Sequence, residues 1–407
     1  MSQGISRRVA LKGLGVAGAT ALAGCSGVFG GAGGGGPVKI GTVLPLSGPL
    51  ALVGQEDRRG AELALEHVGE EVLGNDLEII FRDSETNPST ALQITRELVQ
   101  QEEVDALAGL ASSASGIGVI PYIKNDAQIP HTFAQVGTPT AREVEQYCTR
   151  YAFYPWASMR QQALPHADFI ANELGNHVSA DTSQLHFIGL DYEAGQTGRD
   201  MVTELFEEQG GEVVGSTMVP QGETDLAPYL TEVSNSEAEV VSGFMPGQAA
   251  VQVINQAEEF GLSDEKVMCL LGDTTSPLPL AATGEAANGW YGVHWYDESR
   301  DNDMNNTFKD LYTSNWDDLP PNDIAASGFN MVYSLAQGME AAGSRAPDDV
   351  VDAMAGMTFA SPMGELTYRE EDHQTRLNCI GYQITDSPTR EVLTRYPDVI
   401  GPAMCSV

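Results

Sequence analysis

From Lys39 onward, short β-branched runs alternate with longer stretches whose apolar residues recur at helical spacing. Residues 39–44 form the first strand-like run, which is ended by Pro45 and the turn residues Ser47-Gly48-Pro49. From Gln55 the apolar side chains fall at Ala61, Leu63, Ala64, Leu65 and Val68, a helical spacing. The pair then repeats: strand-like 77–81 with helical 89–100, 106–110 with 115–126, and 184–190 with 198–209. It continues as 213–219 with 227–234 and 240–244 with 248–260, before a strand-like run at 266–271. Strands alternating with helices in this way predict an α/β fold with parallel, doubly wound sheets. About 370 residues beyond the N-terminal segment predict two lobes. Ligands of open α/β sheets bind at the carboxyl edge of the strands, so the candidate residues are those just past each strand.

The N-terminal segment has a different character. Ser6-Arg7-Arg8 with Lys12 is a basic head of twin-arginine type, followed by an apolar run over 14–23. That run is shorter than the roughly 20 residues a spanning helix needs, so 1–24 is expected to be a signal peptide. It ends in Leu22-Ala23-Gly24-Cys25, which resembles a lipobox, so lipidation is expected at Cys25; a plain exported protein with a free Cys25 is the alternative. Residues 25–36, with their glycine run, read as a flexible tether with a reach on the order of 20 Å. Gly13-Leu14-Gly15-Val16-Ala17-Gly18 matches the dinucleotide fingerprint, but no strand precedes it and it lies inside the export signal, so it is rejected. The expected product is anchored to the outer face of the cell membrane by lipid only and does not cross it again.

Composition adds a setting. The formal charge is −36 over 407 residues, and the five lysines are Lys12, Lys39, Lys124, Lys266 and Lys309. So acidic a surface repels itself in dilute buffer and is screened at high salt, which predicts a halophilic protein. It excludes nucleic-acid binding, which needs basic surface. Disorder is excluded by 42% hydrophobic residues, ample for a core.

The run LPLSGPLALVGQEDRRGAELAL over 44–65 resembles the opening of the leucine/isoleucine/valine-binding type of periplasmic substrate-binding protein, which feeds ABC importers. Similar landmarks recur from Val38 to about Thr385. The resemblance implies the type I periplasmic binding protein fold, two doubly wound parallel-sheet lobes joined by a three-strand hinge with crossings near Met159, Tyr296 and Met363. The lobes would be 37–159 plus 297–362 and 160–296 plus 363–393, with a tail over 394–407. Such a hinge permits clamshell closure over a ligand. The implied function is capture of a branched-chain or related amino acid, without catalysis, by a monomer that delivers it to ABC permease subunits. A short-chain amide or urea as ligand, a ligand-sensing role for a signalling partner, and an exported enzyme remain as alternatives.

Ser112 and Ser113 follow an apolar strand and stand where a helix N-cap belongs. A helix N-terminus offers free amides and a positive dipole end to a carboxylate; by resemblance these serines hold the ligand's α-carboxylate, and ordinary capping is the alternative. Asp273, just past a strand, matches the family's acidic residue for the α-ammonium; a helix-capping aspartate is the bland reading. Phe244 replaces a pocket aromatic of the family. Tyr192 lies close to a second one, although Ala194 aligns better there, and Val53 stands where an aromatic is common. At the usual threonine the sequence offers Gly137, with Thr138 next to it. Trp290 and Trp295 flank the second crossing and either line the cleft or pack in a core.

No cofactor or metal is expected. Asp301-Asn302-Asp303-Met304-Asn305 lacks the glycine and terminal glutamate of a calcium loop, having Asn306 and Tyr312 there. The seven histidines are scattered, and no GxSxG motif is present. After Cys25 the cysteines are Cys148, Cys269, Cys379 and Cys405, which allow three pairings. The family's familiar bridge, from the 83–88 loop to Ala111, has no cysteine at either place. Cys269 lies in an apolar run and is expected as a buried thiol, while one disulfide is expected to involve Cys148.

Overall fold

The computed structural model of the protein describes residues 36–316 and 319–407. The signal segment and Cys25 lie outside the described residues. No helix among the described residues is long and apolar enough to cross a membrane.

The first lobe opens with β1 (Val38–Leu44), α1 (Ala51–Val68), the hairpin β2 (Glu71–Val72) and β3 (Asn75–Asp83), α2 (Pro88–Gln100) and β4 (Ala106–Gly109). It continues through α3 (Ser113–Tyr122), β5 (His131–Phe133), α4 (Thr140–Glu143) and β6 (Ala152–Phe153). Its sheet has the order β2-β3-β1-β4-β5-β6, parallel except for the β2–β3 hairpin. Local chemistry sets the turns: Asn87 caps α2, accepting from Ser89 N at 2.8 Å and Thr90 N at 3.1 Å, and Pro88 supplies the first helical φ. Asp83, the last residue of β3, accepts from Leu46 N, Ser47 N and Glu85 N at 2.9, 3.2 and 2.8 Å, which pins the loop before α1 to the strand edge.

The second lobe begins with α5 (Met159–Asp168) and runs through β7 (Gln184–Asp191), α6 (Glu193–Glu208), β8 (Glu212–Pro220), α7 (Ala227–Ser234) and β9 (Val240–Phe244). Next come α8 (Gln248–Phe260), α9 (Leu262–Glu265), β10 (Val267–Leu271), α10 (Pro277–Thr283) and β11 (Tyr291–His294). The chain then returns to the first lobe for α11 (Asp303–Asn315), α12 (Asp323–Ala342), α13 (Pro347–Met354) and the small hairpin β12 (Thr358–Ser361) and β13 (Gly364–Thr367). It ends in the second lobe with the antiparallel pair β14 (Leu377–Asp386) and β15 (Thr389–Val399). The second sheet has the order β15-β14-β11-β10-β9-β7-β8. The two-lobed, doubly wound architecture that the alternating pattern predicts is the one observed.

Three passages between the lobes lie together. Gln374 Nε2 donates to the carbonyls of Tyr154 (3.3 Å) and Trp156 (3.0 Å), and Thr375 Oγ1 to Tyr154 (3.0 Å), which ties the first passage to the third. Trp156 meets Trp295 of the second passage edge-on, with ring centroids 4.9 Å apart. Arg390 and Arg395 of β15 clamp the second passage through Tyr296 O (2.9 Å), Glu298 and Asp297 (2.8 Å). Tyr368 still packs in the first lobe, its hydroxyl 2.9 Å from Ser334 Oγ, so the third passage runs from there to Leu377.

Cys148 pairs with Cys405, their Cα atoms 5.4 Å apart, and this bond ties the chain's last residues to the first lobe. Cys269 and Cys379 are buried free thiols, and burial pushes both thiols upward.

Candidate functional site

The facing carboxyl edges of the two sheets carry the candidate residues. On the first lobe, Ser112 is the N-cap of α3 and Ser113 its first residue, and Ser112 makes no side-chain capping bond. The first-turn amides therefore keep their donors, and Ser115 Oγ, buried one step on, has no partner among the described residues. A Cβ added at Gly116 would come within 2.7 Å of Val136, so the first turn of α3 lies against the segment after β5. That segment carries Gly137, whose carbonyl accepts from Met159 N at 2.9 Å and thus serves the first passage. Thr138 is buried, and its hydroxyl donates to Glu193 Oε1 of the second lobe at 2.7 Å. This bond joins the lobes directly across the seam.

On the second lobe, Asp273 follows β10 and Tyr192 caps α6, half-buried, close enough that the Asp273 and Glu193 charges add to burial in pushing its phenol up. Asp273 keeps some exposed surface, but its carboxyl is set back among protein atoms. Burial first, and then the Asp323 charge, push it up to about 8, against the Gln162 amide, which favours the ionised form. Phe244 is only 3% exposed and packs with Met159 beside Gly198, so it contributes to the lobe's interior. Of the two tryptophans, Trp290 is core, its indole donating to Ser263 Oγ at 3.0 Å, whereas Trp295 stacks on His294 at the second passage.

Sequence reasoning missed three groups beside Asp273. Asp323 is the first residue of α12, and His294 ends β11; ligand atoms of Asp273, His294 and Asp323 lie within 4.8 Å of one another. Asp57 of α1 joins them because α1 and α12 touch backbone to backbone. A Cβ at Gly60 would lie 1.8 Å from Ala325 O, and one at Gly328 2.0 Å from Asp57 O, so only glycine allows this approach. Asp57 accepts from Gln135 Nε2 at 3.1 Å, and its carboxyl is raised well above the usual range by burial, partly offset by Gln135, with Glu56 and Asp323 adding to the rise. The adjacent Glu56, by contrast, is fully served by Arg59, Tyr312 OH (2.7 Å) and Asn322 Nδ2 (2.9 Å). A signal for Asp57 existed: it stands four and seven residues before Ala61 and Ala64, on the apolar stripe of its helix.

The arrangement offers the α3 amides and hydroxyls with Asp57 and Asp323 on the first lobe and Asp273 on the second, which suits a ligand with negative and positive ends. A shallow groove of about 570 Å³ lies elsewhere, between α6 and β8, lined by Arg199, Asp200, Glu204 and Ser216. It sits away from every strand end that faces the other lobe and holds no convergent buried polar group, so we do not assign it the site.

Comparison with known proteins identifies relatives of the whole two-lobed chain. Residues 37–388 match the periplasmic binding protein family. The chain is 26% identical over 348 residues to Leu/Ile/Val-binding protein homolog 6 of Brucella melitensis biotype 1, covering 84% of this chain and 86% of that one. An ABC transporter substrate-binding protein from Sphaerobacter thermophilus superposes with a TM-score of 0.83 at 24% identity, covering 89% of this chain and 98% of that chain. A solute-binding protein of an ABC transporter from Rhodopseudomonas palustris BisB5, in complex with 3,4-dihydroxybenzoic acid, superposes with a TM-score of 0.82 at 22% identity, covering 90% and 99%. The chain belongs to the periplasmic binding protein family, the solute-binding components of ABC transporters.

Proposed function

We propose that this protein is an extracytoplasmic receptor that captures a small zwitterion, an amino acid, between its lobes and presents the closed form to a permease. What supports the reading is that each lobe carries one of the two ends: the uncapped amides of α3 with Ser112 and Ser113 on the first, and the Asp273 carboxyl on the second. The first suits a carboxylate and the second an ammonium. Tyr192 supports Asp273, and the Thr138–Glu193 bond supports closure of the lobes upon each other. Gly137 acts through its backbone, and Phe244 acts by shaping the lobe beneath the pocket. Selection works by differential affinity for the closed state and requires no bond-making, so no catalysis is proposed. Lipidation at Cys25 anchors the receptor to the outer membrane face, and the acidic surface suits saline surroundings.

A second reading, a short amide or urea, is favoured by one observation: a carboxyl pushed up to about 8 is protonated at neutral pH and donates to a neutral carbonyl. A thermal-shift screen of amino acids, amides, urea and hydroxybenzoates in multimolar salt separates these. A ligand that binds only the folded state raises the melting temperature. The amino-acid reading expects saturable stabilisation by at least one amino acid. Stabilisation by amides alone, or by hydroxybenzoates alone, refutes it.

A further inference from the structure

The carboxylates at the seam outnumber what a simple zwitterion neutralises. Asp57 and Asp323 are at most 1% exposed, and Asp57 Oδ2 and both Asp323 oxygens have no hydrogen-bond partner among the described residues. Of the nearby cations, Arg59 pairs with Glu56, while Arg390 pairs with Glu298 through Nε and Nη2 and feels the Asp323 charge without a hydrogen bond to it. Leaving such oxygens unpaired in a buried site is costly, so the groups are built to meet a partner of opposite charge.

A metal ion is the first candidate, because Asp273, His294 and Asp323 converge. The histidine argues against it. Tyr296 N donates to His294 Nδ1 at 2.8 Å, which makes Nδ1 the acceptor and puts the imidazole proton on Nε2. Nε2 is the nitrogen that faces Asp323, at 3.5 Å. A metal-bound histidine uses a bare nitrogen toward the ion and donates from the other one, the reverse of this arrangement. The pair of aspartates is therefore left for an organic cation.

Shape narrows the choice further. Asp323 Oδ2 faces the His294 Nε2–H, so Asp323 presents Oδ1 and Asp57 presents Oδ2, on two helices held together by the glycine-mediated contact of α1 and α12. A flat guanidinium fork engages a carboxylate through two parallel N–H bonds and keeps further donors, whereas an ammonium is a point charge. We propose that the cleft selects a guanidinium-bearing amino acid, its guanidinium between Asp57 and Asp323 and its α-ammonium on Asp273, a step that rests on the receptor reading above.

The test is calorimetric titration of the protein with L-arginine, L-citrulline, which carries a neutral urea in place of the guanidinium, and L-leucine. Arginine is expected to bind about a hundredfold more tightly than citrulline or leucine. Asp323→Asn and Asp57→Asn are each expected to weaken arginine binding at least about tenfold and to shrink its advantage over citrulline. Both variants are expected to keep or raise the ligand-free melting temperature, because each replaces a buried carboxyl whose oxygens lack hydrogen-bond partners; if one fails to fold, the other gives the same reading. Citrulline or leucine binding as tightly as arginine overturns the guanidinium subsite while sparing the receptor. Stabilisation by Zn²⁺ or Mn²⁺ with no response to arginine overturns it in favour of a metal. If no solute in the wider screen binds, the receptor reading itself fails and the subsite with it.

Discussion

Asp273→Ala is expected to abolish measurable binding of an amino-acid ligand. An ammonium enclosed between the lobes needs a paired anion, and removing one partner of a buried ion pair costs about 3–5 kcal/mol. A ligand bound at micromolar strength has roughly 8 kcal/mol in all, so calorimetry of the variant should show affinity lost by a hundredfold or more. Unchanged affinity removes Asp273 from the site. The pH dependence gives an independent reading of the same group. With its carboxyl pushed up to about 8, Asp273 is protonated in the free protein at neutral pH, and an ammonium ligand favours the ionised form. Binding then releases a proton, so affinity should climb as pH rises from about 6 to 8 and level off above. Asp273→Asn should flatten that climb. The sign for stability is opposite in the free protein: a carboxyl raised above its unfolded value of about 3.9 costs stability as pH rises toward 8.

Reduction of the Cys148–Cys405 bond is expected to have the largest effect on stability. The two cysteines are 257 residues apart in sequence, so the bond removes a large loop entropy from the unfolded chain, about 5 kcal/mol in the chain-entropy account. For a chain of this size that corresponds to a fall in melting temperature on the order of 5–10 °C, in reducing buffer or in Cys405→Ser. Loss should be smaller at Cys269→Ser, since that thiol is a free, buried group. A melting temperature indifferent to reductant contradicts the structural role of the bond.

How far the molecule can be read from its sequence depends on where each signal is stored. The strand–helix rhythm from 77 to 271 reappears as β3 to β10 with small shifts at the ends, because each element carries its own period and its own turn residues. β5 and β6, at three and two residues, are too short to show a period. The long helix α12 is buried nearly all round, so it lacks the polar face that marks an amphipathic helix. Its polar residues Asp323, Ser327, Asn330 and Ser334 fall on one buried stripe, which is visible in the sequence but carries no statement of what it faces. The same division holds at the seam. Ser112 and Asp273 are legible because they directly follow strands. Asp57 and Asp323 come together only through a contact between helices 266 residues apart, and His294 only through the packing of β11 beside β10.

The central claim is that a solute draws the two lobes together. The strand orders put the hinge beside β6 and β11, so the rims farthest from it are the turns after β3 and β8. Glu85 and Gln221 are exposed there. Spin labels on Glu85→Cys and Gln221→Cys, read by double electron–electron resonance with and without saturating ligand, report the opening directly. The account predicts that ligand shortens the distance and collapses it to one narrow distribution. A ligand that binds one to one and leaves the distribution unchanged contradicts it.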